Sequence, residues 1–437
     1  MRHPTDTQEP REGRRVVREP RVVELEVGAI AAGGGCVARG EDGRVVFVRH
    51  CLPGERVLAA ITEEAKSYLR ADAIEIVQPS PDRVSPPCPY AGPGRCGGCD
   101  WQHVELGAQR ALKADLVAEQ LRRIAGIERF IEVADVPGTS DGLGWRSRVR
   151  FSVDEAGRVG LHKHRSHELQ QIERCLIASP AVEALGIEAL EWHDVDDLEA
   201  FASQSGESVL SVTTRGRRAG RLPALDTGLV VNGRVVKEPD HLSFEVLGRR
   251  YEVGGGVFWQ VHPGAAQVLG KAVLTALEAQ PGDRVADLYA GAGLFAALVG
   301  GIVGRTGWVL AVERDRWACA DAARNTADLP HVKVRKAAVT AALVSEALND
   351  VDLVVLDPSR EGAGRAVMGS LAKLEPGPRR IVYVACDPAS FARDLRVLLD
   401  EGWALASLKG FDMFPMTYHV ELVAVIEPRR VRATKAL

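Results

Sequence analysis

The sequence predicts an α/β protein: a mostly parallel, doubly wound sheet in the C-terminal part, preceded by a small β-barrel and a β-rich central domain. Three observations carry this expectation. After Gln280 short apolar strands alternate with helical segments, the rhythm of a parallel sheet flanked by helices. Between Val22 and about Pro79 the chain runs instead through short β-type segments with glycine at the corners. A length of 437 residues exceeds what one hydrophobic core usually serves.

Taken in order, residues 1–22 carry Arg2, Arg11, Arg14, Arg15, Arg18 and Arg21 with almost no apolar periodicity, which predicts a disordered basic arm, either solvated or RNA-contacting. Residues 23–80 hold the runs VVELEVGAI, GRVVFVRH, LPGERVLAAI and YLRADAIEIV. Strands this short suggest a closed barrel of the OB type, which commonly binds oligonucleotides, although fold alone does not establish binding.

The Pro-rich segment PSPDRVSPP (79–87) reads as a linker into a central domain, 81–255. There a cysteine cluster precedes a helix from His103 to Ala125, and β-type runs follow from Trp145 to about Val253. The acidic stretch EWHDVDDLE (191–199) reads as an exposed face or insertion. Basic residues gather at Arg146, Arg148, Arg150, Lys163 and Arg165, and again at Arg215, Arg217, Arg218 and Arg221, as phosphate contacts or ordinary solvated surface.

No apolar run approaches the roughly 18 residues a membrane-spanning helix needs, and the N-terminus lacks an apolar signal core. The expectation is a cytoplasmic protein with no membrane partner. In a reducing compartment 8 cysteines point to metal binding or chemistry more than to disulfides. A net charge of −4 gives no global attraction to nucleic acid, so RNA would have to be held by local basic surface.

Residues 256–437 carry the chemistry. The run from Asp287 through Tyr289, Gly291 and Gly293 ends a strand in a glycine turn that opens a helix, the place where open α/β sheets bind ligands. GAGLFA also fits a dinucleotide fingerprint, and Glu313, ending the next strand, suits the ribose of either NAD or S-adenosylmethionine. An acidic Asp287 ahead of the glycines and Asp357-Pro358 ending a later strand favour a methyltransferase over a dehydrogenase, because a pyrophosphate-binding turn gains nothing from a facing carboxylate.

Cys386 ends the apolar strand RIVYVA before Asp387-Pro388. It is either a small buried hydrophobe or, at a strand end beside a proline turn, a reactive thiol. Glu421 lies at the start of the apolar strand HVELVAVIE, where a carboxylate is costly unless it is paired or used; the alternative is a surface glutamate guarding an edge strand. Cys88, Cys96 and Cys99 (C-x7-C-x2-C), with Cys175 further on, form a thiolate set suited to a [4Fe–4S] cluster or to zinc.

Together these motifs resemble the RNA uracil-C5 methyltransferase family, from the barrel to the C-terminus. The barrel resembles a TRAM domain, and CPY…CGGCDWQH with Cys175 resembles the [4Fe–4S] motif of its ribosomal RNA members. The segment FWQVHP resembles the family's Phe-x-Gln-x-Asn. The resemblance implies a Rossmann-like catalytic domain in which Gln260, Tyr289, Glu313 and Asp357 contact S-adenosylmethionine, Cys386 is the nucleophile and Glu421 the base. It implies RNA as partner, 23S ribosomal RNA ahead of tRNA, and the chain is expected to act as a monomer.

Five residues depart from the pattern: His262, Ala290, Leu294, Ser359 and Asp387. A protein with lapsed catalysis, or a methyltransferase acting on another base or a small molecule, is the competing expectation.

Overall fold

The structure, a computed structural model, describes residues 15–16, 21–216 and 222–429. Arg2, Arg11, Arg14 and Arg18 of the basic arm, and Arg217, Arg218 and Arg221 of the second basic group, lie outside the described residues. Arg15–Val16 is a short strand paired with Glu64 and Glu63, so at these two residues the stretch read as a disordered arm is part of a sheet. The chain divides into two compact units. One comprises the described residues up to Leu116 with His162–Gln170 and Met416–Tyr418; the other holds Val117–Leu161, Gln171–Pro415 and His419 onward.

In the first unit the hydrogen-bonded order is Arg15–Val16, Arg56–Glu64, Tyr68–Gln78, Val45–Arg49, Cys36–Arg39, with Val22–Glu26 also on Arg56–Glu64. The ring closes where the chain after Val22–Glu26 reaches Cys36–Arg39: the Gly28 N–H donates to the Val37 carbonyl at 2.7 Å and the Val37 N–H to that of Ala29 at 3.0 Å. Alternation does the sorting, since Val46 and Val48 are fully buried between half-exposed neighbours. Trp101, Val104 and Leu116 complete the barrel core, so the cysteine stretch and the start of the helix Leu106–Gln120 go with the barrel. A barrel of short strands buries little area by itself, and this cover supplies the rest.

In the second unit an eight-stranded sheet runs Val332–Lys336, Trp308–Glu313, Arg284–Leu288, Leu353–Leu356, Arg380–Ala385, Glu421–Pro428, Trp403–Phe411, Val133–Ala134. The first five strands are parallel, and Glu421–Pro428 is antiparallel to both neighbours. The order reverses beside Arg284–Leu288, the switch point at which such sheets bind ligands. Helices Leu294–Val303, Arg316–Asn325, Arg365–Ala372 and Pro388–Asp400 alternate with these strands, the rhythm expected after Gln280. Among the described residues no helix is long and apolar enough to cross a membrane.

Of the two readings of the acidic stretch, the exposed face holds for Glu191, His193, Asp194 and Asp196, while an insertion does not. Its residues 195–199 belong to the strand Val195–Ala202, paired with Arg148–Val153 on one side and Ser208–Thr214 on the other, with Val195 and Leu198 fully buried. Its acids neutralise the neighbouring basic group: Glu199 accepts from Arg148 at 2.9 Å and Asp197 from Arg150 at 2.8 Å. Arg148 also lies over the Phe201 ring and donates to the Val257 carbonyl. Lys163 pairs with Glu168 and Arg215 with Asp196. Much of this basic surface is therefore committed within the protein.

Candidate active site

Four parallel strands end on one edge of the sheet and place their chemistry there. Asp287 lies one residue from the end of its strand, Glu313 closes the next, and Asp357 and Cys386 directly follow Leu353–Leu356 and Arg380–Ala385. Because Ala385 pairs with Leu422 in antiparallel register, Glu421 begins its strand where Cys386 leaves the neighbouring one.

The glycine turn holds left-handed backbone at Tyr289 (φ 64), Gly291 (φ 53) and Gly293 (φ 85). For tyrosine this is a strained conformation of the kind that concentrates at functional sites. At Gly293 an added Cβ would lie 3.1 Å from Ala322, so glycine answers both the backbone angle and the close helix contact. Glu313 is fixed by backbone donors, accepting from Gly291 at 3.1 Å and from Arg314 and Asp315 at 2.8 Å each.

Asp287 is fully buried and neither carboxylate oxygen has a hydrogen-bond partner. Burial pushes its pKa up to about 8, helped by the charges of Asp357 and Glu313 and opposed by the Ala296 N–H. Ionising it costs on the order of 5 kcal/mol. Burial raises Asp357 in the same way, to about 7. Orphaned acceptors beside a glycine turn at a helix start fit a ligand bearing hydroxyls and positive charge, and S-adenosylmethionine has both.

Cys386 is half-buried, and burial first, then the charges of Glu421 and Asp357, push its thiol up to about 12. Glu421 is 4 % exposed, and desolvation with the charge of Asp357 raises it well above the carboxylate range. Its strand is interior, flanked on both sides, which removes the edge-strand reading. Arg360 pulls both groups back toward their ionised forms. Sequence reasoning missed this arginine; the signal was its place three residues after Asp357 in Asp-Pro-Ser-Arg.

The loop carrying Arg360 is clamped by the helix that starts after Cys386. Ser390 donates to the Arg360 carbonyl at 2.6 Å, and Asp394 accepts from the N–H groups of Ala363 at 2.7 Å and Gly364 at 3.1 Å. Asp387 caps that helix by accepting from the Ser390 N–H at 2.7 Å. Gln260 is half-buried on the loop before the helix Ala265–Leu277. His262, 2 % exposed, is kept neutral by burial, which lowers its pKa to about 4; its Nδ1 accepts from the Gly264 N–H at 3.1 Å. Ala290 and Leu294 are buried, and Ser359 is exposed.

None of the four cysteines is joined in a disulfide. Cys88, Cys96 and Cys99 belong to the first unit and Cys175 to the second. Among the described residues no three His, Cys, Asp or Glu side chains are gathered in metal-binding reach. The donor chemistry nonetheless fits a thiolate-bound centre, since the Gly98 N–H points at Cys96 Sγ at 3.4 Å, the kind of bond that stabilises a ligating sulfur.

A thiol raised this far is protonated at neutral pH, and only the thiolate alkylates. Alkylation of Cys386 by iodoacetamide in the free protein should therefore be slow at pH 7 and climb about tenfold per pH unit. Arg360→Ala should slow it further, because a cation favouring the thiolate is gone. Peptide mass spectrometry reads both; a rate at pH 7 equal to that of free cysteine would contradict the shift.

Residues 17–74 match the TRAM domain family. An uncharacterized RNA methyltransferase of Streptomyces avermitilis is 46% identical over 93% of this chain and 98% of its own. The 23S rRNA (uracil(1939)-C(5))-methyltransferase RlmD of Alkalilimnicola ehrlichii is 34% identical over 95% of this chain and 98% of its own. Among solved structures, the tRNA (uracil-54, C5)-methyltransferase of Pyrococcus abyssi in complex with S-adenosyl-L-homocysteine superposes with a TM-score of 0.71. That match covers 92% of this chain and 100% of that one at 21% identity, a likeness of fold.

Proposed function

The chain belongs to the RNA uracil-C5 methyltransferase family, and we propose that it methylates C5 of a specific uridine in 23S ribosomal RNA through a covalent bond between Cys386 and C6. The observation that carries this reading is the meeting of Cys386 and Glu421 across paired strands, on the edge where Asp287, Glu313 and Asp357 end. Three functional parts follow: a TRAM barrel at 23–80, a central domain at 81–255 with the cysteine motif, and a methyltransferase domain at 256–437.

S-adenosylmethionine supplies a methyl group made electrophilic by its positively charged sulfur, with Gln260, Tyr289, Gly291, Gly293, Glu313 and Asp357 as the residues that would hold it. Uracil C5 is by itself a poor nucleophile. Addition of the Cys386 thiolate to C6 turns C5 into an enolate carbon that takes up the methyl. Glu421 then removes the C5 proton, the C6–sulfur bond breaks, and the thiolate leaves with its electron pair. Arg360 is suited to stabilise the charges on both side chains as they form. A buried carboxylate with a raised pKa is a strong proton acceptor once ionised.

The target base cannot be attacked inside a stacked helix and must be extruded or single-stranded. The TRAM domain supports an RNA partner, met in the cytoplasm by a monomer. Mapping 5-methyluridine in a deletion strain tests the substrate: one site should vanish from 23S ribosomal RNA with tRNA unchanged. Loss from tRNA alone would move the assignment there.

For the cysteines we propose a [4Fe–4S] cluster on Cys88, Cys96, Cys99 and Cys175, in preference to zinc. Anaerobically purified protein should be brown with iron and sulfide in equal amounts. Serine at Cys96 should remove the colour. A colourless preparation with stoichiometric zinc would overturn the cluster.

A further inference from the structure

The segment 357–364 joins the strand Leu353–Leu356 to the helix Arg365–Ala372 and carries Arg360. Irregular backbone of this kind moves unless something holds it. Here the holding groups lie on both sides of Cys386 in the chain, Tyr383 on the strand before it and Ser390 and Asp394 on the helix after it. All three side chains are buried.

Asp394 gathers donors from the loop and from the strand. Its Oδ2 accepts from the Tyr383 hydroxyl and the Ala363 N–H at 2.7 Å each, and its Oδ1 from the Gly364 N–H at 3.1 Å. Burying an acidic side chain is costly, and donors converging on it are what offset the cost. Gly362 suits the same contact: its φ is 84, and an added Cβ would lie 2.7 Å from Asp394 Oδ2 and 3.1 Å from the Ser390 side chain. Ser390 holds Arg360 itself, through the carbonyl. From this anchored backbone the Arg360 guanidinium reaches His419 Nε2 at 3.4 Å, two residues before Glu421.

We infer that Asp394 is a positioning residue for the reaction: it ties the loop to the strand and helix that flank Cys386, and so fixes where the Arg360 guanidinium stands relative to the thiol and to Glu421. One frame then carries both the nucleophile and the cation that serves it. The inference rests on the reading of Cys386 as the nucleophile and of Arg360 as favouring its thiolate.

The test compares Asp394→Asn, Arg360→Ala and the two combined in the full-length protein. An amide of the same shape puts a donor where the loop and Tyr383 need an acceptor, and frees the loop. Alkylation of Cys386 by iodoacetamide at pH 8, read by peptide mass spectrometry, should slow about 5- to 10-fold in Asp394→Asn, the effect of a unit charge receding by about 3 Å at an effective dielectric constant of about 20. A negative charge lost from position 394 would by itself favour the thiolate, so a slower rate points to the displaced arginine. In the Arg360→Ala background the same substitution should add nothing, because the group it positions is gone. An unchanged or faster rate in Asp394→Asn, or equal slowing in both backgrounds, overturns the inference. Tyr383→Phe, which removes one donor and keeps the ring, should slow alkylation in the same direction by less, and carries the test if Asp394→Asn does not fold; an unchanged rate there overturns the inference too. If Arg360→Ala alone leaves the rate unchanged, the reading of Arg360 falls and takes the inference with it. Trapping by 5-fluorouridine RNA runs in parallel: an adduct formed by Cys386→Ala removes the reading of the nucleophile, and a slower trapping rate in Asp394→Asn, with none from Cys386→Ala, supports both.

Discussion

Cys386→Ala is expected to abolish methyl transfer and to leave no covalent RNA complex. The thiolate is the group that makes C5 nucleophilic, so its removal strikes before the methyl moves. Loss of a catalytic nucleophile commonly costs roughly 10⁴- to 10⁶-fold in rate. Cofactor binding should survive, because Asp287, Glu313 and Asp357 sit on other strands. RNA containing 5-fluorouridine offers a sharp readout, since fluorine blocks the proton loss needed for release. The unmutated protein should trap it and Cys386→Ala should not. An alanine variant that still forms the adduct would assign the nucleophile elsewhere.

Glu421→Gln should fail later. The thiolate still adds and the methyl still transfers, but the C5 proton stays, and the methylated base remains bonded to Cys386. A slow-migrating protein–RNA band that survives denaturant is the expected result. Removing a general base costs roughly 10²- to 10⁴-fold, so slow release through water is compatible with the assignment. Normal turnover by Glu421→Gln is not. The burial of Glu421 matters here, because an amide of the same shape leaves the interior strand packed and confines the loss to the proton.

Several features were legible because they are written in contiguous residues. A strand ending in Asp287, glycines at 291 and 293 and an apolar helix from Leu294 can be read locally, since the backbone angles they demand are set by residue type. The cysteine spacing in CPYAGPGRCGGC was equally local. Arg360 escaped notice because its one signal was its place three residues after Asp357, and an exposed arginine in a loop carries no periodicity to reinforce it. That residues 195–199 of the acidic stretch form an inner strand was missed because the buried Val195 and Leu198 are outnumbered by charges, and the counterions of Glu199 and Asp197 lie on Arg148 and Arg150, 51 and 47 residues away in sequence.

The sequence by itself determined the α/β class, the barrel before it, the strand ends that carry Asp287, Glu313, Asp357 and Cys386, and the residue types suited to cofactor and nucleophile. All of these follow from short-range rules of propensity, periodicity and turn chemistry. Only the tertiary structure decided that Glu421 stands on an interior strand beside Cys386, that Arg360 biases both toward ionisation, and that the loop carrying Arg360 is held by Asp394. Strand order, desolvation and long-range hydrogen bonds depend on which distant segments come together, and no local window of the chain contains both partners.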